Sequence, residues 1–439
     1  MKSADTSLKY RLRLIWAYKD VLRNYCKPVY KWYVKHFRKH QMAAAARLQG
    51  KEHLEVAFLL TIPGMWKSDY LFRALRDNPR YHPYVVVYPY SVFKGFEPKE
   101  VDATIERTKQ FIEVKGFECV VPYDKGRNRW DDINKTLPPD IVVFTTPYKD
   151  IPPQYFVYNF KDTLTCYVPY GFSSLNLFKI NYDLIFHNLV GLHFVETEIH
   201  RQTAIAHSRN KGANIVVSGY PGTEVFLRED YLPANVWKPQ PHTKKRIIWA
   251  PHHSIDGDLA ISSFLLVCDA MPLLAKVFEE KVQFVFKPHQ LLKFRLQKLW
   301  GEEKTESYYN QWQQMPNGQL EESSYVDLFL TSDAMIHDCG SFTTEYLFTR
   351  KPVMYIIKNE NFIDKFSPFG KMSFGQHYQG RTIEEIRQFI NDVVIGGNDP
   401  MREQRQAFFD QYLAPRSGKM PSEKIIELIE NTIKGEFPK

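Results

Sequence analysis

Short apolar runs alternate with helical stretches along the chain after residue 52. The runs have the length of strands and are apolar on both faces. This pattern predicts strands at 56–62, 84–88, 118–122 and 141–145, and helices at 69–77 and 101–115. Strands that are apolar on both faces and separated by helices are typical of a parallel sheet covered on each side. The pattern therefore predicts a doubly wound α/β domain over residues 53–235.

The same alternation resumes near residue 247 and predicts a second domain of the same kind over 236–400. Its predicted strands are 247–250, 282–286, 328–330, 334–336 and 353–357, and its predicted helices are 262–279 and 341–348. The stretch 219–241 is rich in Pro and Gly, which is linker composition. We expect two Rossmann-like domains facing a cleft, with ligands at the carboxyl ends of the strands. Residues 401–439 are expected to be helices that pack back across that cleft.

The N-terminal segment differs from the rest in charge. Residues 1–47 hold 12 basic and two acidic residues, a local net charge of +10. The formal net charge of the whole chain is +8, so the remaining residues together carry −2. Apolar residues recur at helical spacing over 8–37 and the opposite face is cationic, with eight aromatic rings between. Pro28 predicts a kink or two shorter helices. Residues 1–52 are therefore interpreted as a basic amphipathic arm that binds an anionic membrane surface through residues 1–47.

Two other interpretations of this arm are open. It could be a helix packed on the protein's own surface with a solvated charged face. A nucleic-acid-binding arm is disfavoured because no known nucleic-acid-binding motif follows it, and no nucleic-acid partner is predicted.

Composition narrows the class of protein further. No apolar run approaches the roughly 18 residues of a membrane-spanning helix, so membrane contact is expected to be peripheral. The N-terminus lacks a secretory signal pattern. The five cysteines are odd in number and widely spaced, which predicts reduced thiols in a cytosolic protein.

The segment 332–345 (SDAMIHDCGSFTTE) has the strongest local signal. A predicted strand leads into Asp338, then Gly340 and Ser341, then a predicted helix. Gly340 permits close backbone approach, and Ser341 is expected to cap the helix, whose first amide groups then form a phosphate site. An ordinary capped turn explains the same residues equally well. Glu345 lies one turn into the helix, and we expect it to bind hydroxyl groups of a polyol or sugar.

Two further loops follow predicted strands of the second domain. Lys287 and His289, in FKPHQ, are able to donate hydrogen bonds to a pyrophosphate and stabilise a leaving group. A Lys-Pro-His loop is, however, more often a connecting loop without a functional role. Pro251 and the paired His252 and His253 follow another strand, in APHHS. An imidazole can act there as acid, base or phosphate donor, and at most one of two adjacent histidines is expected to face a site. All three loops are predicted at one edge of one sheet.

A metal site is not predicted. Asp256-Gly257-Asp258 has the form of an acidic metal motif, but it also resembles a turn before a helix. The chain has no Walker loop, GxGxxG or GxSxG. The sequence therefore predicts no metal and no cofactor.

The order APHHS, FKPHQ and SDAMIHDCGSFTTEYLFTRKPVMYI resembles the CDP-glycerol glycerophosphotransferases, the family of teichoic acid and capsular polymer polyol-phosphate transferases. The resemblance covers 247–357 well and the body from residue 56 more loosely. It implies a GT-B fold, peripheral membrane attachment and transfer of a polyol phosphate from a CDP-activated donor without a required metal. Carried over to this sequence, it implies donor contacts from Pro251, His252, Lys287, His289, Gly340, Ser341 and Glu345.

The sequence departs from the family pattern at two places. The family's Trp-His-Gly segment corresponds to 167–174 (YVPYGFSS), with Tyr170 where the family has its apparent catalytic His, followed by Gly171 and Ser173. A phenol with a pKa near 10 is a poor base at neutral pH. The family's Gly-x-Pro-Arg-x-Asp corresponds to 219–224, where the Arg is missing.

These observations lead to one main hypothesis of function. An acceptor hydroxyl, on a cell-envelope polymer or a lipid-linked glycan held at the cytoplasmic face of the membrane, attacks the β-phosphorus of a CDP-polyol and expels CMP. The predicted catalytic residues are Tyr170, His252 and His289, with His253 and His193 as further possible bases. The predicted substrate-binding residues are Gly171, Ser173, Pro251, His253, Lys287, Asp338, Gly340, Ser341 and Glu345. A GT-B glycosyltransferase and a non-catalytic nucleotide-binding scaffold are the alternatives, and a homo-oligomer is possible.

Overall fold

The computed structural model describes residues 27–438 apart from 90–97, 125, 128, 258–259, 323–324 and 416–417. Within these residues the chain forms two compact units. The first holds the described chain up to Gly171, Phe178–Gly222 and the segment from Pro421 onward, and the second holds Phe172–Leu177 and Thr223–Met420. A search of the described helices finds none with the length and apolar character needed to span a bilayer.

The first unit is a seven-stranded, wholly parallel sheet with helices around it. The strands of the sheet are β1 Leu54–Leu60, β2 Tyr81–Val87, β3 Cys119–Val120, β6 Ile141–Phe144, β7 Leu164–Tyr167, β8 Leu192–Val195 and β9 Ile215–Val217. A separate small hairpin is formed by β4 Tyr123–Asp124 and β5 Arg129–Trp130. Its helices up to residue 222 are α1 Lys27–Arg47, α2 Asp69–Arg76, α3 Pro98–Glu113, α4 Ile133–Thr136, α5 Phe178–Tyr182, α6 Ile185–Leu189 and α7 Glu198–His207. The order in the sheet is β3-β2-β1-β6-β7-β8-β9.

The second unit is a six-stranded parallel sheet. Its strands are β10 Lys245–Ala250, β11 Val282–Phe286, β12 Gly318–Leu320, β13 Ala334–His337, β14 Val353–Ile356 and β15 Tyr378–Gly380, in the order β12-β11-β10-β13-β14-β15. Its helices are α8 Phe264–Val267, α9 Ala270–Val277, α10 Leu292–Trp300, α11 Glu302–Gln314, α12 Val326–Thr331, α13 Phe342–Glu345, α14 Pro368–Phe374, α15 Ile383–Gln388 and α16 Arg402–Phe408. Phe389–Ile395 and Phe409–Leu413 are π-helical. The central strands β10 and β11 carry a buried aromatic cluster around Trp249 and Phe286.

One predicted strand of the second unit is wrong. Residues 328–330 lie in α12, where Leu328 and Phe329 are buried. Three apolar residues in a row are too few to distinguish a strand from a buried helical turn, and here the helix forms. The predicted helix 262–279 is divided into α8 and α9, and 341–348 is α13 followed by a 3₁₀ turn at Tyr346–Thr349.

The division between the units lies at 222/223 rather than at 235/236. The stretch after residue 222 has linker composition, but its aromatic side chains pack on the second unit. Phe226 stacks on Phe329, Tyr231 donates to Asp327 at 2.7 Å, and Trp237 Nε1 donates to Thr331 at 2.8 Å. These contacts of the aromatic side chains place residues 223–237 in the second unit, although their Pro and Gly content is typical of a linker.

The C-terminal helices, predicted as one segment 401–439, are also divided. α16 belongs to the second unit, whereas α17 (Pro421–Ile433) belongs to the first. Ile425, Ile429 and Ile433 recur every four residues and complete the core of the first unit. Arg80 pairs with Glu430 at 2.7 Å. Packing of this tail across a cleft stays a prediction.

Helix α1 is an integral part of the first unit. Its buried side chains include Phe37 and Gln41. The Gln41 amide nitrogen donates to three carbonyls, those of Phe160, Lys161 and Thr163, at 2.9 to 3.1 Å. Its oxygen accepts from both the backbone nitrogen and the hydroxyl of Thr165, at 2.9 and 2.7 Å. A fully satisfied buried amide fixes the helix on the sheet.

For 27–47, then, the packed-helix interpretation of the arm is confirmed. Pro28 lies in the first described turn of α1, and the helix is continuous from there to Arg47. The rest of the predicted arm, residues 1–26, lies outside the described residues.

Candidate functional site

Three loops of the second unit meet because the strands before them are neighbours. β11, β10 and β13 are adjacent and parallel, so their carboxyl ends lie at one edge of the sheet. The backbone nitrogens of Lys287 and His289 donate to Trp249 O and Pro251 O at 2.8 and 3.1 Å. The sequence-based prediction that these loops converge on one edge is confirmed.

The centre of this edge is a cluster of three imidazoles. The ring centroids of His252 and His253 and those of His253 and His289 are 4.3 Å apart, and those of His252 and His289 are 5.1 Å apart. Lys287, which is buried, comes from the same loop as His289. Both adjacent histidines thus join the cluster, contrary to the expectation that only one would.

Hydrogen bonds fix the tautomer of His252. The backbone nitrogen of Ser254 approaches its Nδ1 at 3.2 Å, and the Ser254 hydroxyl lies 2.8 Å from the same atom. That hydroxyl accepts from Ile261 N, which leaves its own proton for the imidazole. An amide N–H can only donate, so Nδ1 is an acceptor and the neutral ring carries its proton on Nε2.

His289 has the same tautomer for the same reason. The backbone nitrogen of Leu291 donates to its Nδ1 at 3.1 Å, so its proton also lies on Nε2. Two of the three rings are therefore held by the backbone as Nε2–H donors.

The cluster is neutral at physiological pH. Burial lowers the pKa of His289 to about 3, and nearby His253, Lys287 and Arg295 act in the same direction. Burial, with Arg295, lowers the pKa of His253 to about 4. The pKa of His252 is also well below its usual value because the ring is buried. Neutral N–H donors beside buried Lys287 suit an anion such as a diphosphate.

The three histidines also have a spacing that suits a metal ion. One ring nitrogen from each lies within 4.8 Å of the others. Histidines that bind a metal normally donate the other ring N–H to an acceptor. His252 and His289 do the opposite, because their Nδ1 atoms accept from backbone N–H groups. The hydrogen bonding therefore favours an anion here, and the absence of a metal stays a prediction.

Asp338 connects the loops at this edge through hydrogen bonds to its buried carboxylate. It is 2% exposed, and its carboxylate accepts from the backbone nitrogens of His252 and Ser263 and from the Ser262 hydroxyl. Burial raises its pKa to about 7 against the effect of these donors. Through these hydrogen bonds Asp338 joins two loops and holds His252 in place. Its predicted contact with substrate stays a prediction.

The predicted phosphate cradle at Gly340 and Ser341 has a different structure. Ser341 has helical backbone angles and its side chain makes no capping bond, so the predicted N-cap is wrong. A Cβ at Gly340 would lie 2.9 Å from a methyl carbon of Leu175. Gly340 thus packs closely against the 172–177 segment, a long-range contact that local sequence does not reveal.

Glu345 is buried and hydrogen-bonded within the second unit. It is 2% exposed and accepts a hydrogen bond of 2.7 Å from Tyr325. Burial and this carboxylate raise the pKa of the Tyr325 phenol well above its usual value. Its predicted role in binding substrate hydroxyls stays a prediction.

The family of the chain follows from a comparison with known protein families. A family model described as CDP-glycerol:poly(glycerophosphate) glycerophosphotransferase matches residues 190–431. The chain belongs to this family. It is thus a CDP-glycerol glycerophosphotransferase-like enzyme, as the motifs indicated. A comparison with curated protein sequences gave no match.

Solved structures agree on the fold. The wall teichoic acid polymerase TagF, determined as a histidine-to-asparagine variant, is 15% identical with a TM-score of 0.58, over 94% of this chain and 98% of that chain. A putative UDP-N-acetylglucosamine 2-epimerase from Listeria monocytogenes is 14% identical with a TM-score of 0.56, over 88% of this chain and 99% of that chain. The Neisseria meningitidis UDP-GlcNAc 2-epimerase bound to UDP-GlcNAc is 12% identical with a TM-score of 0.55, over 87% and 100%. The predicted α/β fold of the GT-B class, with two doubly wound domains, is confirmed.

Tyr170, which stands where the glycerophosphotransferase family has its apparent catalytic histidine, follows β7 in the first unit. Its hydroxyl lies 2.8 Å from that of Tyr148, which follows the neighbouring strand β6. Gly171 is the last residue of the first unit before the chain crosses. Ser173 belongs to the second unit, where its carbonyl accepts from Ser367 Oγ at 3.2 Å. The predicted motif therefore spans the two units, and the roles of Tyr170, Gly171 and Ser173 stay predictions.

His193 is unsuited to the role of base. It is 1% exposed within β8, and its ring stacks on that of His187 at 5.0 Å. Burial lowers its pKa to about 3, so it neither reaches solvent nor accepts a proton readily.

The sequence reasoning missed Ser254 and Arg295. Ser254 fixes the His252 tautomer, and its place two residues after that histidine is the signal for it. Arg295, on α10, pairs with Asp256 and adds positive charge near the three histidines. This pairing also explains Asp256 as a partner of arginine. Asp258 of the suspected acidic metal motif lies outside the described residues.

Proposed function

We propose that this enzyme transfers glycerol phosphate, or another polyol phosphate, from a CDP-activated donor to a hydroxyl of a cell-envelope polymer or lipid-linked glycan, as in teichoic acid synthesis. Membership of the family supports the reaction class. The observation that carries the proposal is the pair of Nε2–H donors on His252 and His289 beside buried Lys287. These groups match the donor's diphosphate, which develops negative charge on its leaving oxygen.

In the proposed reaction the acceptor hydroxyl oxygen forms a bond to the β-phosphorus. The bond between that phosphorus and the bridging oxygen breaks, and CMP leaves with the electron pair. His289, His252 and Lys287 stabilise the charge on the departing phosphate, and they do so at little cost in reorganisation because backbone amides already orient both imidazoles. Asp338 keeps His252 in position.

The acceptor proton has to pass to a base. Tyr170 is the predicted residue, and its hydrogen bond to Tyr148 orients it. Only the phenolate form of Tyr170 can accept this proton, and it is a minor form at neutral pH because phenols have an ordinary pKa near 10. Loss of the acceptor proton is therefore expected to lag behind bond formation to phosphorus. The diagnostic product is CMP, released from CDP-glycerol or CDP-ribitol in step with polyol phosphate gained by the acceptor.

A second candidate is transfer of a sugar from a nucleotide sugar. It draws support from the fold neighbour bound to UDP-GlcNAc. A fold does not select its donor, so this candidate is weaker than the family match. Release of UDP from UDP-GlcNAc, with no CMP from CDP-polyols, would favour it.

We also propose that the protein acts at the cytoplasmic face of the membrane, attached peripherally by its basic N-terminal residues. The charge of residues 1–47 supports this proposal. The test has to spare α1, since Gln41 fixes that helix in the first unit. Removing residues 1–26 should weaken sedimentation with phosphatidylglycerol vesicles and leave nucleotide binding unchanged; unchanged sedimentation would contradict the attachment.

A further inference from the structure

A cavity of about 260 Å³ lies in the first unit, between α1 and the loops 188–191 and 209–214. Four of the residues that line it are basic, and none of its described lining residues is acidic. The basic residues are Lys31, Lys35, Arg38 and Arg209. Nothing in the proposed phosphotransfer uses this cavity, whose residues all belong to the first unit.

The cations are held in place in different ways. Arg209 lies over the ring of buried Tyr30, with the guanidinium carbon 5.7 Å from the ring centroid. Arg38 donates to Pro438 O, and burial lowers its pKa from the usual value. Lys31 and Lys35 are exposed on α1. Two fixed guanidinium groups and two available ammonium groups therefore face one space.

The acceptor oxygens of Asp183 and Gln41 are engaged by residues around the cavity, and Asp183 offsets part of the charge of Arg209. Asp183, the carboxylate near Arg209 at 3.4 Å, also accepts from Arg209 N at 2.9 Å and from Asn188 Nδ2 at 3.1 Å. The Gln41 oxygen accepts from Thr165, and its amide is used by three carbonyls. The cavity therefore presents donors and positive charge, which is the chemistry that recognises a phosphate group.

We propose that this cavity binds the phosphate group of a small phosphate ester, presented by the headgroup of an anionic phospholipid. Its volume suits a phosphodiester with a short polyol, a ligand smaller than a drug-sized molecule. Trp32 and Val29, 63% and 41% exposed, lie on the same helix as Lys31 and Lys35. An indole beside cations is typical of a surface at the membrane interface, and this favours a lipid over a soluble ester as the source of the phosphate.

The test compares two double variants of the full chain that remove the same charge. Lys31→Gln with Lys35→Gln removes both exposed cavity cations. Lys39→Gln with Lys135→Gln removes two exposed lysines of the first unit that do not line the cavity. Each is measured for binding of sn-glycerol 3-phosphate by calorimetry, and for sedimentation with phosphatidylcholine vesicles with and without phosphatidylglycerol.

The cavity variant is expected to lose saturable glycerol phosphate binding. It is also expected to bind phosphatidylglycerol vesicles at least ten times more weakly than the control variant, in which vesicle binding decreases only through the lower net charge. Loss of glycerol phosphate binding with equal vesicle binding in both variants would support the cavity but overturn the lipid as its source. Equal behaviour of both variants in both assays would overturn the site. A His289→Ala variant should keep glycerol phosphate binding at the cavity, which separates this site from the donor site.

Discussion

Replacing His289 with alanine is expected to lower the rate of CMP release by about 10²–10³-fold, the usual effect of removing one preorganised donor to a developing anion. The His289 Nε2–H is oriented by the Leu291 amide and lies beside Lys287 and His252. Alanine removes this donor, and the leaving phosphate then loses a charge-stabilising contact in the transition state. Initial rates of CMP release at saturating CDP-glycerol measure the effect.

Two matched variants make this prediction specific. His242→Ala removes a half-exposed histidine of the same unit that contacts Glu280, and it should leave the rate unchanged. His289→Gln retains a side-chain N–H donor, so it should recover part of the lost rate if His289 acts by donation. Full activity in His289→Ala, with thermal stability equal to that of the wild type, would remove the residue from the mechanism. A rate in His289→Gln as low as in His289→Ala would argue against donation.

The second large effect concerns pH and stability. His193 in the first unit and His377 in the second are both 2% exposed or less, and burial lowers the pKa of each to about 3. Between pH 3 and the unfolded value near 6.5, the unfolded chain binds more protons than the native one, so the free energy of unfolding falls as pH falls. The contribution of these two neutral histidines to the free energy of unfolding is fully present above pH 6.5. At pH 5 each histidine is expected to cost about 2 kcal/mol, or about 4 kcal/mol together.

Urea denaturation at pH 7.5 and at pH 5 measures this decrease. The cluster histidines His252, His253 and His289 contribute with the same sign, since their pKa values are also lowered. Asp338 acts in the opposite direction between pH 7.5 and pH 5, because burial raises the pKa of its carboxyl to about 7. His193→Phe keeps a buried ring between His187 and Tyr167 without a titrating group, and it should remove about 2 kcal/mol of the loss for the first unit. An equal pH dependence in this variant would mean that His193 is not held neutral by burial.

The convergence of the donor loops could be predicted from sequence because it follows from strand order. Apolar strands before Pro251, Lys287 and Asp338 are recognisable locally, and parallel strands bring their carboxyl ends to one edge. The sequence does not predict the shorter strands β7, β8, β9, β12 and β15, since segments of three or four residues give little periodic signal.

The roles of individual site residues depended on contacts that are distant in sequence. Glu345 is occupied by Tyr325, and Gly340 faces Leu175 from a segment 165 positions earlier in the chain. Asp338 accepts from His252, in a loop that strand order predicts beside it, and from Ser263, which the sequence does not place there. Residue type and spacing identified the site, but the partner of each side chain is set by tertiary packing, and this determines which groups are available to a ligand.

The central claim is that this enzyme uses a CDP-polyol, and ³¹P NMR of a single reaction tests it most directly. The full chain is incubated with CDP-glycerol and a lipid-linked poly(glycerol phosphate) acceptor, with UDP-GlcNAc as a parallel donor. The account predicts CMP and new phosphodiester in equal amounts from CDP-glycerol, and no UDP from UDP-GlcNAc. Binding of CDP-glycerol or CDP-ribitol without CMP, or release of UDP in place of CMP, would contradict it.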